Sequence, residues 1–102
     1  MVEYIWEFQA RPEKIADFEN FYSASGAWAA LFRRCPGFLG TSLLRDTESP
    51  ARFLTIDRWD TPASHHAMRE QFSAEYETLD RACEALTESE TRVGIFESQP
   101  AT

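Results

Sequence analysis

Cysteine, histidine and positive charge are all scarce in this 102-residue chain. Its two cysteines, Cys35 and Cys83, form neither a CxxC pair nor a disulfide framework, which excludes a zinc ribbon, a thioredoxin-like motif and a stapled secreted scaffold. Both fall at apolar positions of helical patterns and are expected to be buried free thiols in a cytoplasmic protein. Ten Lys and Arg stand against seventeen Asp and Glu, a net charge of −7. That excludes the basic patches that nucleic acid or an anionic membrane surface would require. No apolar run approaches the length that crosses a bilayer. The opening MVEYIWEFQARP has an early acid and no basic cluster, unlike a signal peptide. Repeats, low-complexity tracts and interdomain linkers are also missing, so residues 1–102 read as one domain.

Aromatic side chains are what the chain has in plenty: eight Phe, three Tyr and three Trp, within a composition that is 43% hydrophobic and 26% charged. Rings of that size must be buried between facing layers. VEYIWEFQA alternates, with Val2, Tyr4, Trp6, Phe8 and Ala10 on one side, and predicts a strand. Pro12 then opens a helix whose inward stripe is Ile15, Phe18 and Tyr22. SASG at 23–26 interrupts it. A second short helix follows, with Trp28, Leu31, Phe32 and Cys35 on one side, and Pro36-Gly37 ends it. FLGTSLLRD predicts the next strand, with Gly40 marking a bulge or a close approach and with Leu39 and Leu43 sharing one face. DTESPA is a turn, and RFLTIDRW completes a hairpin. Thr61 caps the following helix and Pro62 takes its first position. Phe72, Tyr76, Leu79, Cys83 and Leu86 continue as one helical stripe opposite a solvated face of Glu75, Glu77, Asp80 and Glu84. TESE is expected to be a turn, TRVGIFES the last strand, and SQPAT a frayed tail.

The order β-α-β-β-α-β predicts an α+β, ferredoxin-like βαββαβ fold, a four-stranded antiparallel sheet with its helices on one face. Strands two and three carry apolar residues on both faces. The second face therefore also needs cover, and a second copy packed sheet to sheet is the simplest cover. The expectation is a homodimer.

These segments also carry a family resemblance. EYIWEFQARPEK, WAALFRRCPGFLGTSLLRD, RFLTIDRWDTPASHHAMREQF and AEYETLDRACEALTE resemble the antibiotic biosynthesis monooxygenase-like domains of the dimeric α/β-barrel superfamily. The pattern PGFLG, then LLR, then a strand ending in Trp before a helix carries most of the likeness. The resemblance implies a dimeric α/β barrel. It also implies a cofactor-free monooxygenase acting with molecular oxygen on a small or polycyclic aromatic such as a phenol, anthrone or quinol. A non-catalytic dimeric ligand-binding module of the same fold is the alternative. The haem-degrading branch fits less well. It keeps an asparagine on strand one and a histidine about ten positions after the tryptophan, and those positions here are Trp6 and Arg69.

Cofactor-free oxygenation needs a flat aromatic held away from water and the loss of one proton, after which the substrate anion can itself reduce oxygen. In DRWDTPASHH, Trp59 matches the family tryptophan and His65 stands six positions after it. Trp59 is expected either to donate its indole N–H to a substrate or to close one end of the core. His65 is the candidate proton acceptor, in a neutral state that a helix start favours. Trp6, Tyr22, Trp28, Phe32 and His66 are the candidate substrate contacts, with Tyr22, Trp28 and Phe32 forming a lid. His66 and Glu70 could pair at i, i+4, but no third metal ligand is visible, and no metal or cofactor is expected.

Overall fold

The structure is a computed structural model that describes residues 1–101. Strand β1 (Val2–Ala10) leads through a 3-10 turn at Pro12–Lys14 into helix α1 (Ile15–Tyr22). After the SASG break comes α2 (Ala27–Phe32), then the hairpin β2 (Phe38–Arg45) and β3 (Arg52–Trp59). Helices α3 (Pro62–Gln71) and α4 (Ser73–Cys83) follow, then a 3-10 turn at Glu84–Leu86 and β4 (Thr87–Glu97). The sheet order is β2-β3-β1-β4, and all three pairings are antiparallel. This is the ferredoxin-like α+β arrangement, with the crossing helices on one face. Residues 98–101 have no regular structure, and the last residue of the expected frayed tail, Thr102, lies outside the described residues.

The core forms where the inward phases of β1 and β3 meet the helices. Val2, Tyr4, Phe8 and Ala10 are buried from β1, and Phe53, Thr55 and Trp59 from β3. Phe18 of α1 lies between them, its ring centre 5.3 Å from that of Phe8, 4.8 Å from Phe53 and 4.4 Å from Tyr22. Burial of such a ring stabilises the fold by about 1.5–3 kcal/mol. Both cysteines are buried and unpaired.

Three expectations change. The stripe from Pro62 to Leu86 is not one helix: at Phe72 the backbone leaves helical geometry (φ −117°, ψ 32°), and its ring sits 4.7 Å beneath the Arg34 guanidinium. TESE is not a turn but the first four residues of β4. Backbone pairing of β4 with β1 runs from Ala10–Thr87 onward and tolerates two register shifts, so this segment needs no apolar alternation to be a strand. The bulge expected at Gly40 is present, between Phe38 and Gly40, and it shifts the phase of β2. Leu43 therefore packs on the core while Leu39, four residues earlier, is exposed.

The corner after β3 is braced by the turn before β2. Asp60 N–H donates to the Gly37 carbonyl at 2.8 Å, and Thr61 accepts from the Ser64 N–H at 3.2 Å as the N-cap of α3. Gly37 has φ +91°, and a Cβ there would collide with the Asp60 carboxylate and the Ser64 side chain. Gly37→Ala is expected to lower stability by about 1–3 kcal/mol in urea unfolding. An unchanged unfolding midpoint would show that this turn does not brace the corner.

Candidate active site

Between the inner sheet face and the helices lies a cavity of about 230 Å³. Trp6 and Phe8 of β1, Tyr22 of α1, Trp28 and Phe32 of α2 and Tyr76 of α4 supply its aromatic wall. Trp28 meets Tyr76 edge-on with ring centres 4.8 Å apart, and Tyr22 at 6.1 Å. These contacts follow from the SASG break, which turns α2 so that Trp28 and Phe32 face inward rather than continuing the stripe of α1. Burial raises the Tyr22 and Tyr76 hydroxyls above the ordinary range, so both stay protonated.

The polar wall is Thr41 and Thr55, three acids (Asp57, Asp80 and Glu90) and one cation, Arg69. Asp57 occupies an inward position of β3, opposite Thr41 of β2 in the hairpin register. Thr41 Oγ1 donates to Asp57 Oδ1 at 2.6 Å. Desolvation pushes the Asp57 carboxyl up to about 6, against the Thr41 bond and the Arg58 charge, which act to lower it. Glu90 is also raised, first by desolvation and then by Asp80 and Glu84. Arg69 lies over the Tyr76 ring, 3.9 Å from its centre, a cation–π contact.

Of the residues singled out in the sequence, Trp6, Tyr22, Trp28 and Phe32 are brought together on this wall. Trp59 and His65 are not on it. Trp59 is 0% exposed and stands behind Phe32, edge-on with ring centres 5.6 Å apart, and against Phe38 at 5.2 Å. Its indole N–H is buried with no partner among the described residues, a cost of about 1–3 kcal/mol in a closed core. The Trp28 N–H is buried beside the Tyr22 hydroxyl and the Cys83 thiol. His65 stacks on Tyr4 at 3.9 Å and meets the Trp59 edge at 5.6 Å. Burial, with help from Arg69 and His66, lowers it to about 4, so it is neutral near pH 7. The shift has the direction expected for a helix start, but its main cause is desolvation. His66 is exposed on the α3 surface, where its Nε2 lies 2.9 Å from Glu70 Oε1, and it does not reach the cavity. Among the described residues no three His, Cys, Asp or Glu side chains are gathered so as to hold a metal.

Asp57, Thr41, Arg69, Tyr76, Asp80 and Glu90 were not singled out from the sequence. Asp57 had a legible signal: in Phe53-Thr55-Asp57-Trp59 it is an acid on an otherwise inward phase. Asp80 and Glu90 read as solvated face and turn, and only the tertiary fold brings them to the mouth of the cavity.

A family profile described as antibiotic biosynthesis monooxygenase matches residues 1–74. The chain belongs to that family. Among solved structures, it is similar to SnoaB, a cofactor-independent oxygenase from Streptomyces nogalater, at 23% identity and a TM-score of 0.81. That match covers 98% of this chain and 94% of SnoaB. It is also similar to a candidate antibiotic biosynthesis monooxygenase from Deinococcus radiodurans, at 19% identity and a TM-score of 0.80, over 100% and 96% of the two chains. A conserved protein from Methanosarcina mazei Go1 follows at 16% identity and a TM-score of 0.73, over 96% and 92%. At these identities the likeness is one of fold. No curated protein matches the chain. Three cavity residues, Tyr76, Asp80 and Glu90, lie beyond the stretch matched by the family profile.

Asp57 and His65 act on stability with opposite sign. The folded-state value of His65 lies below 6.5, so its contribution is present above pH 6.5 and is lost as pH falls toward 4. The folded-state value of Asp57 lies above 3.8, so the burial cost of its charge is felt above about pH 6 and vanishes as pH falls toward 3.8. Asp57→Asn keeps an acceptor for Thr41 and removes that charge. It is expected to stabilise by about 1–2 kcal/mol at pH 7.5 and to be neutral near pH 4 in urea unfolding. A destabilised variant at pH 7.5 would show that the carboxylate is better solvated than its position implies.

Proposed function

We propose that this chain is a cofactor-independent monooxygenase that oxidises a one- or two-ring phenol or quinol with molecular oxygen. The single observation that carries the reading is the aromatic-walled cavity of about 230 Å³ in a chain of this family. An apolar cavity of ~150 Å³ takes a benzene ring, so this one suits one or two rings. Trp6, Tyr22, Trp28 and Phe32 hold the ring and keep water from it. Trp59 and His65 act from behind Phe32 and Tyr4, fixing the far end of the wall. Once deprotonated, the substrate anion passes an electron to oxygen and the radical pair joins as a peroxide. The peroxide O–O bond then breaks as the ring carbon loses its hydrogen. A ring C–H thereby becomes C=O, and the second oxygen atom leaves as water.

Oxygen uptake with a dihydroxynaphthalene or a dihydroxybenzene is the test. The expected result is enzyme-dependent uptake above the spontaneous rate, falling about tenfold or more in Trp28→Phe with folding intact. Uptake no faster than without protein across such substrates would favour the non-catalytic binding module.

The same reading includes a homodimer. The outer sheet face carries the half-buried Ile5, Leu54 and Ile56 beside Leu44 and Phe96, which are 45% and 50% exposed. Arg52–Glu7 (2.7 Å) and Arg58–Glu3 (3.9 Å) pair their charges across neighbouring strands of that face. A second copy laid sheet to sheet would bury this mixed surface. Light scattering is expected to give twice the chain mass, and Leu54→Glu is expected to give a folded monomer. A monomeric parent protein would overturn the dimer.

A further inference from the structure

We propose that Asp57, oriented by Thr41, is the residue that takes the substrate's proton, and that the cavity therefore selects neutral phenols over carboxylates. This rests on the oxygenase reading of the cavity and deepens it. Four observations converge. Asp57 lies on the cavity wall, where His65 does not. Thr41 holds one carboxylate oxygen at 2.6 Å, which leaves the other oxygen for a substrate hydroxyl. The side of the cavity that α2 supplies is aromatic, so a ring lying against Trp28 and Phe32 can direct its hydroxyl toward β3. Burial also raises the basicity of the carboxyl to a value suited to proton transfer near neutral pH.

The charged groups around Asp57 decide the selectivity. Arg58 neighbours it on β3, and Tyr4 of β1 and Thr41 of β2 face it in register. Arg69 comes from α3, Tyr76 and Asp80 from α4, and Glu90 from β4, with neutral His65 above Tyr4. Three acids against one cation on the wall disfavour a substrate that arrives as an anion. Arg69 is the cation on the wall that can balance a phenolate formed inside. In the step itself the O–H bond of the phenol breaks and its proton joins the free Asp57 oxygen. The electron pair stays on the substrate oxygen, and no electron leaves until molecular oxygen is met.

The test uses 2-naphthol, whose photoexcited state releases its hydroxyl proton to a carboxylate within hydrogen-bond reach and then emits as naphtholate. Bound naphthol is expected to give naphtholate emission that rises with pH around a midpoint near 6. Asp57→Asn is expected to bind it still but to emit as naphthol, with a loss of about 100-fold in turnover of an oxidisable substrate. Thr41→Val removes the hydrogen bond that lowers the Asp57 carboxyl, so its midpoint is expected to move to higher pH. A merely structural role for Thr41 would not produce that shift. 2-Naphthoate is expected to bind at least tenfold more weakly than 2-naphthol. Naphtholate emission that persists in Asp57→Asn, or a midpoint unmoved in Thr41→Val, would overturn the assignment while leaving the oxygenase reading standing. Failure of naphthol to bind any variant would overturn both.

Discussion

Asp57 faces inward from β3 between Thr55 and Trp59, and a single 2.6 Å bond from Thr41 takes the place of much of the water it gives up. A carboxylate in that position is costly, and the fold is arranged around keeping it solvated enough to exist. The hairpin register sets Thr41 opposite it, so one strand pairing both builds the sheet and fixes the acid. The aromatic layer then cannot close over it completely. Between Trp6, Phe8, Tyr22, Trp28, Phe32 and Tyr76 the packing leaves a space of about 230 Å³. Cavity and carboxyl belong together: filling the space with apolar side chains would leave the charge without surroundings that tolerate it.

The same layer explains why the tryptophan and histidine of the corner lie where they do. Trp59 and His65 pack behind the aromatic wall: Trp59 meets Phe32 and His65 edge-on and Phe38 at a tilt, and His65 stacks on Tyr4. The brace from Gly37 to Asp60 and the Thr61 cap hold that corner against α3. Rigidity at one end and a partly filled space at the other is what a binding site needs from a small fold. The rings are positioned by packing that does not depend on the ligand. The exposed acids Asp80 and Glu90, with Arg69 over Tyr76, then set the charge at the entrance.

Much of this was legible in the chain. The alternation of VEYIWEFQA survives because both neighbours of β1 are strands and one of its faces is the core. Thr61-Pro62 and Pro36-Gly37 are local signals whose mechanism does not depend on distant residues. What escaped was set by partners far along the chain. TESE has no apolar alternation, yet it is strand because β1 offers its backbone from Ala10 inward. The phase flip at Gly40 separates Leu39 from Leu43, although their spacing puts them together. Phe72 fits the helical stripe in spacing, but its backbone breaks the helix. At the site, the aromatic wall could be read from helix and strand phase. Of its polar half only Asp57 left a signal, as an acid on the inward phase of β3; Thr41, Arg69, Asp80 and Glu90 come from four other elements, and only the tertiary fold brings them to it.

A carbon NMR titration of the Asp57 side-chain carboxyl, with and without a bound phenol, tests the central claim most directly. A midpoint near pH 6 in the free protein, moving upward as the cavity fills and more water leaves, is the result expected. A midpoint close to 3.8, insensitive to the phenol, would contradict it, because such a carboxyl is bathed in water and is not the proton acceptor of this cavity.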